Sequence, residues 1–253
     1  MDSSGVSQFM TTKLEKDAKK NWDLFYKRNG DRFFKDRHWT MREFQELAST
    51  SDDDHRQKVL LEVGCGAGNF IFPLLQENVL FYIYGCDFSP VAVDLCQRNP
   101  LNDSSKCCFF VSDLTSDTFV NSFRNASELQ GHSSVDIISL IFVLSAISPD
   151  KFATCISNVA SILKSDGIVI FRDYADGDHA MTRFHPSQQI CERFFVRQDG
   201  TRAYYFKKES LEKLFEEAGF ETVRQEYVNR MTTNVKENIS VERTFLQATF
   251  RKK

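Results

Sequence analysis

The apolar positions of this chain change period along its length, and the changes mark out the fold. Trp22, Phe25 and Tyr26, with Asn29 completing the row, fall at i, i+3, i+4 and i+7, the spacing of one helical face. They predict a helix over Lys13–Asn29, preceded by a loose polar tail at residues 1–12. Phe33–Leu47 mixes aromatic with basic residues and predicts a second helix with Thr40 as its N-cap. Ser49–Arg56 contains no apolar residue and reads as a linker.

A regular alternation follows. Strands are predicted at Val59–Val63, Phe81–Cys86, Cys107–Val111, Val135–Leu140 and Gly167–Arg172. Helices are predicted between them at Asn69–Glu77, Pro90–Gln97, Thr118–Phe123 and Pro149–Leu163, the second capped by Ser89 with Pro90 in its first turn. The strands are continuous apolar runs, as expected when helices cover both sheet faces. Strands alternating with helices imply a parallel sheet with right-handed crossovers. After Asp173 the pattern breaks. Tyr174–Ser187 is polar and irregular, and Phe194–Arg197 and Ala203–Phe206 flank an Asp199-Gly200 turn signal. Ser210–Ala218 is a predicted helix stopped by Gly219, and Glu221–Arg230 and Val241–Arg251 are predicted strands.

The first strand runs into Gly64-Cys65-Gly66-Ala67-Gly68-Asn69. A glycine-rich strand-to-helix turn lets a ligand approach the backbone closely. Asn69 stands where a dinucleotide fingerprint has its third glycine, and no Lys-Ser/Thr pair follows. The loop therefore suits a nucleoside or carboxylate better than a pyrophosphate. Asp87 lies 23 residues after Gly64, directly after the second strand, where an acidic group binds ribose hydroxyls. Its other reading is a helix cap, a place Ser89 already takes. Asp113 follows the third strand and could accept from an adenine amino group, or close an Asx-turn. Ile141-Phe142-Val143-Leu144 closes the fourth strand at the switch point where ligands sit, although the usual place of such apolar residues is the core.

These four positions resemble the cofactor site of class I S-adenosylmethionine-dependent methyltransferases. That α/β, Rossmann-like fold has a seven-stranded, mostly parallel sheet with terminal antiparallel strands. The resemblance covers roughly residues 56–253. Two subtypes are excluded by absence. No N/D-P-P-Y/F/W motif follows the fourth strand, where the chain reads Ile141-Phe142-Val143-Leu144, and none of the five prolines precedes a cysteine.

The remaining motifs are more specific. They include Asn21-Trp22-Asp23-Leu24-Phe25-Tyr26, Phe33-Phe34-Lys35-Asp36-Arg37-His38-Trp39, Phe171-Arg172-Asp173-Tyr174, Asp178-His179-Ala180-Met181 and Phe195–Arg202. Together they resemble the eukaryotic tRNA N3-methylcytidine methyltransferases, over nearly the whole chain, with a departure at residues 1–12. The resemblance implies methylation of a cytidine in the tRNA anticodon loop, at position 32 of serine tRNA, with seryl-tRNA synthetase as a helper. It implies a cofactor site of Trp22, Tyr26, Gly64, Gly66, Gly68, Asp87, Phe88, Asp113, Leu114 and Ile141. It divides the chain into a tail (1–12), a helical lid and RNA-binding extension (13–55) and a methyltransferase domain (56–253) with a hairpin inserted near 174–206.

Trp22 and Tyr26, at i and i+4, share one helix face and would offer aromatic faces to a sulfonium. Cytosine N3 keeps its lone pair at neutral pH, so no general base is required. Asp173, Asp178 and His179, after the fifth strand, are the candidates to stabilise the cationic base, although the commoner role for the two aspartates is as caps or loop carboxylates. Arg37, Arg197 and Arg202 are the candidate RNA contacts. His38, His179 and His185 lack metal-ligand spacing, and no metal is expected. Competing readings are a small-molecule or protein methyltransferase and a non-catalytic scaffold; Asn69 disfavours a nicotinamide enzyme.

Composition bounds these readings. Of 253 residues, 42% are hydrophobic and 26% charged, an ordinary globule. The longest apolar stretch, Val135–Ile147, is broken by serines and too short to span a bilayer. Seven cysteines in no paired spacing fit reduced thiols in the cytoplasm or nucleus, and residues 1–20 have no secretory apolar core. The net charge of −3 argues against an RNA binder until it is divided. Residues 1–48 hold 10 basic and 8 acidic side chains, 49–171 hold 7 and 14, 172–208 hold 7 and 5, and 209–253 hold 8 and 8. The acidic excess lies in the nucleotide-binding part, where a cationic cofactor would sit. The flanking excess of positive charge is small, so the predicted RNA surface is weak without a partner.

Overall fold

The computed structural model describes residues 5–48, 57–77, 80–234 and 239–253. The expected linker at 49–56 lies outside them. The alternating region folds as the pattern predicts: β1 (Lys58–Val63), β2 (Phe81–Asp87), β3 (Cys107–Val111), β4 (Val135–Ile141) and β5 (Leu163–Tyr174) are parallel neighbours. The final strands, β9 (Phe220–Asn234) and β10 (Ile239–Lys252), complete a seven-stranded sheet of order β3-β2-β1-β4-β5-β10-β9. β10 alone runs opposite to the other six strands, antiparallel to both β5 and β9. The architecture is that of a class I, Rossmann-like methyltransferase.

Strand alternation fills a core on each sheet face. Val59, Leu61 and Val63 of β1 enter one, with Tyr82, Tyr84 and Cys86 of β2. Leu60 and Ile83 enter the other. The helices α4 (Ile71–Gln76), α5 (Pro90–Gln97), α6 (Phe119–Ser127) and α7 (Phe152–Ile162) connect the parallel strands. Ser89 caps α5 by accepting from the Ala92 amide at 3.3 Å, with Pro90 in the first turn, as predicted. The strand order reverses between β1 and β4, which opens a crevice at their C-terminal ends.

Several boundaries differ from the expectation. The polar tail is shorter: Ser7 caps α1 (Gln8–Lys16) by accepting from the Met10 amide. Val6 donates to the Gln189 carbonyl at 2.8 Å, which ties this segment to the domain. Alternating polarity hid α1, because only Leu14 is buried. The long helix predicted over Lys13–Asn29 breaks at Asp17, and α2 spans Ala18–Asn29. Thr40 is the first residue of the short α3 (Thr40–Glu43) rather than its cap; its hydroxyl donates to the Arg37 carbonyl.

The irregular segment after β5 contains α8 (His179–Thr182). The predicted hairpin is a three-stranded sheet of β6 (Gln189–Cys191), β7 (Phe194–Val196) and β8 (Arg202–Tyr204). The last helix, α9 (Lys208–Glu217), precedes β9, and Gly219 has a φ of +86°.

Candidate active site

A cavity of about 230 Å³ lies at the C-terminal ends of β1 to β4, under α1 and α2. Trp22, Tyr26, Gly64, Asp87, Phe88, Asp113 and Leu114 line it, so seven of the ten predicted cofactor residues meet at one place. The other three stand behind the wall. Ile141 points into the core, and the next two residues, Phe142 and Val143, face the cavity. Gly66 and Gly68 shape the loop instead. Both have positive φ, and a Cβ on Gly66 would lie 2.7 Å from the Tyr26 hydroxyl.

Asp87 organises this turn. It is buried, and its Oδ2 accepts from the Gly66 amide at 3.0 Å while Oδ1 accepts from the Ser89 amide at 2.9 Å. Burial pushes the carboxyl up to about 6, and the two backbone donors oppose that rise. Each oxygen keeps lone-pair capacity for a further donor. Asp113 combines its two sequence readings: Oδ1 closes an Asx-turn on Thr115, and the exposed residue still lines the cavity.

The helix α2 is fastened over the loop. Trp22 and Tyr26 pack 5.9 Å apart, and Asp23 between them accepts a 2.5 Å hydrogen bond from the Ser89 hydroxyl. Ser89 thus joins α2 to the Asp87 turn. Desolvation, and the nearby Asp87 carboxylate, hold the Tyr26 phenol well above its usual range. Sequence reasoning missed Asp23, the cavity-facing Lys16, Lys19 and Lys151, and Glu15, which pairs with both Lys151 and Arg202. The sparse burial of α1 carried no signal for Glu15 and Lys16.

The three residues expected to stabilise the cationic base do not line this cavity. Asp173 is buried and accepts from the Ser145 and Tyr174 amides, both at 2.9 Å; burial pushes it up to about 6. Asp178 is buried too and anchors structure. It caps α8 through the Ala180 amide, accepts from the Thr244 amide, and pairs with Arg243 at 2.8 Å. Those donors occupy both carboxylate oxygens, as the cap reading of this residue expects. His179 is exposed.

The arginines also divide. Arg37 turns inward to Glu62 at 3.3 Å and to the Ile141 carbonyl, and Arg202 pairs with Glu15 and donates to the Ala146 carbonyl. Both guanidiniums are engaged within the protein, and Arg202 also lines the cavity. Arg197 donates to the Arg202 carbonyl at 2.8 Å and borders a separate groove with Arg28 and Arg183. Glu62 is pushed up to about 8 by burial, against the pull of Arg37. Among the described residues, no group of three or more His, Cys, Asp or Glu could hold a metal, and no helix is long and apolar enough to cross a membrane.

Residues 31–225 match the family model described as a methyltransferase domain. The rat protein named tRNA N(3)-cytidine methyltransferase METTL6 (Rattus norvegicus) is 50% identical over 99% of this chain and 85% of its own length. The fission yeast (Schizosaccharomyces pombe) tRNA N(3)-methylcytidine methyltransferase trm141 is 42% identical over 98% of both. This chain belongs to the tRNA N3-cytidine methyltransferase family. The fold is shared more widely. A Burkholderia thailandensis 1,6-didemethyltoxoflavin-N1-methyltransferase, solved with S-adenosylhomocysteine, superposes with a TM-score of 0.61 at 16% identity, covering 100% of this chain and 93% of that one.

The cavity fits the S-adenosylmethionine on which the family depends. Asp87 and Asp113 offer acceptors for hydroxyl and amino groups, Trp22 and Tyr26 offer π faces for a sulfonium, and Leu114 and Val143 supply apolar wall. Positive φ at Gly64 and its tight approach to Val143 leave no room for a side chain at the turn.

Proposed function

We propose that this chain transfers a methyl group from S-adenosylmethionine to N3 of a cytidine in the tRNA anticodon loop, at position 32 of serine tRNA, with seryl-tRNA synthetase as its helper. The observation that carries this reading is half-identity to named tRNA N3-cytidine methyltransferases along 99% of a chain whose cavity keeps its cofactor-facing acceptors. In it, Asp87 holds ribose hydroxyls, Asp113 the adenine amino group, and Trp22 and Tyr26 close the site as part of an N-terminal lid. Arg197, beside Arg28 and Arg183, meets the RNA backbone. The weak basic excess supports dependence on a partner, and seven free thiols support action in the cytoplasm and nucleus.

When bound, the cofactor supplies a sulfonium methyl: the N3 lone pair takes the methyl carbon, the C–S bond breaks with its pair going to sulfur, and the positive charge passes to the base. No proton leaves the base, so the protein needs no general base. Its work is to position the reactants, exclude water, and accommodate the cation that forms. N3 lies on the Watson–Crick edge, so the base must be splayed out to react.

The test is reconstitution. Methyl-labelled cofactor is incubated with the chain and serine-tRNA transcripts carrying cytidine or uridine at position 32, with and without the synthetase. Incorporation that requires the cytidine and rises with the synthetase supports the reading. Equal incorporation into the uridine transcript overturns the position, and no response to the synthetase overturns the partner.

A further inference from the structure

Phe142 stands one residue past the end of β4 with a φ of +60°. A bulky aromatic rarely adopts that conformation, and strain of this kind persists only where the surroundings over-determine it. They do so here. The Phe142 amide donates to the Arg172 carbonyl at 2.8 Å, which extends the β4–β5 ladder by one residue. The ring centroid lies 5.3 Å from Tyr174 and 5.4 Å from Phe245, and the Arg37 guanidinium sits 5.6 Å over it. Despite these supports the ring is only partly buried, and it forms cavity wall beside Gly64 and Val143. The ring also packs against the core cluster around Ile141, but none of the cofactor groups assigned above uses the part presented to the cavity.

We propose that the Phe142 ring is the platform on which the target cytosine stacks after it leaves the RNA, an inference that rests on the RNA-methyltransferase reading above. Proteins commonly hold splayed bases on aromatic faces. Stacking grips a base by its face and leaves its edge free, as attack by N3 requires. The base becomes cationic on methylation, and a π face favours a cation. The neighbouring Arg37 is tied away from the cavity, donating to Glu62 at 3.3 Å and to the Ile141 carbonyl at 3.4 Å. The backbone twist at residue 142 leaves one side of the ring packed on the core that holds Ile141 and presents the other to the cavity wall.

The experiment compares the wild-type chain with Phe142→Leu, Phe142→Gly and Phe142→Tyr. Leu keeps apolar bulk and removes the π face. Gly removes the ring and relieves the positive φ, so folding is not impaired by strain. The first readout is the fluorescence of a pyrrolocytidine placed at the target position of an anticodon stem-loop, which is quenched by stacking. Quenching is expected with wild type, lost in the Leu and Gly variants, and largely restored by Tyr. The second readout is turnover on tRNA, expected to fall about ten- to a hundredfold in kcat/KM for RNA with Leu and Gly. Cofactor affinity, read by Trp22 fluorescence, is expected to move less than about threefold, far short of that fall. Equal quenching by wild type and Leu overturns the platform, as does a loss of cofactor affinity that matches the loss of turnover. Wild-type quenching that depends on Phe142 without formation of N3-methylcytidine supports the platform and overturns the reading of the reaction instead.

Discussion

Replacing Asp87 with Asn tests whether the cofactor turn holds a destabilised carboxylate. Burial raises this carboxyl from 3.8 to about 6. At neutral pH the charged form therefore costs the folded chain about 3 kcal/mol relative to the unfolded one. Asparagine removes that cost. However, its amide can accept with one oxygen only, so either the Gly66 or the Ser89 amide loses its partner, at roughly 1–3 kcal/mol. Near pH 7.5 the balance puts the variant between equal to wild type and about 2 kcal/mol more stable.

The pH dependence separates them. The folded chain binds the Asp87 proton more tightly than the unfolded chain, so its stability falls as pH rises from about 4 to about 6. The Asn variant lacks this step. Its stability relative to wild type should therefore rise by about 2 kcal/mol between pH 4 and pH 7. Urea unfolding of both proteins without cofactor, at several pH values in that interval, measures the difference. A difference that does not change with pH would refute the claim that burial raises Asp87. Added S-adenosylmethionine should stabilise wild type and have little effect on the variant.

Gly66→Ala forces a Cβ to 2.7 Å from the Tyr26 hydroxyl at a φ of +55°; it should cost about 1–2 kcal/mol from the backbone alone, and weaken cofactor binding in calorimetry by displacing the lid. Asp178→Ala strands the Arg243 partner and should lower stability by about 3–5 kcal/mol; turnover per folded molecule should persist below the new melting temperature, and His179→Ala should change neither. Arg197→Ala should weaken tRNA binding and reduce the slope of log affinity against log salt by about 1.

The parallel sheet was legible because its strands are unbroken apolar runs between helix and turn signals. Asp87 was legible by its distance from Gly64, and the structure places it against Gly66 at 3.0 Å. The N-terminal helix α1 was not, because it buries Leu14 alone and is held by ion pairs from Glu15 to residues 151 and 202. Pattern also could not tell which side of β4's end faces the cavity. A positive φ at Phe142 turns residues 142 and 143 into it and leaves Ile141 in the core. Inward-turned arginines were invisible for a related reason. Arg37 meets Glu62 from 25 residues away, and Asp178 meets Arg243 from 65, distances over which sequence spacing carries no pairing information.

The central claim concerns one atom of one base. Total unmodified tRNA is incubated with the chain and methyl-labelled S-adenosylmethionine, with and without cell extract, and the methylated nucleosides are mapped by mass spectrometry. The account predicts N3-methylcytidine confined to the anticodon loop of serine tRNA and increased by extract. Methylated RNA lacking N3-methylcytidine under both conditions, or no labelled RNA at all, would contradict it.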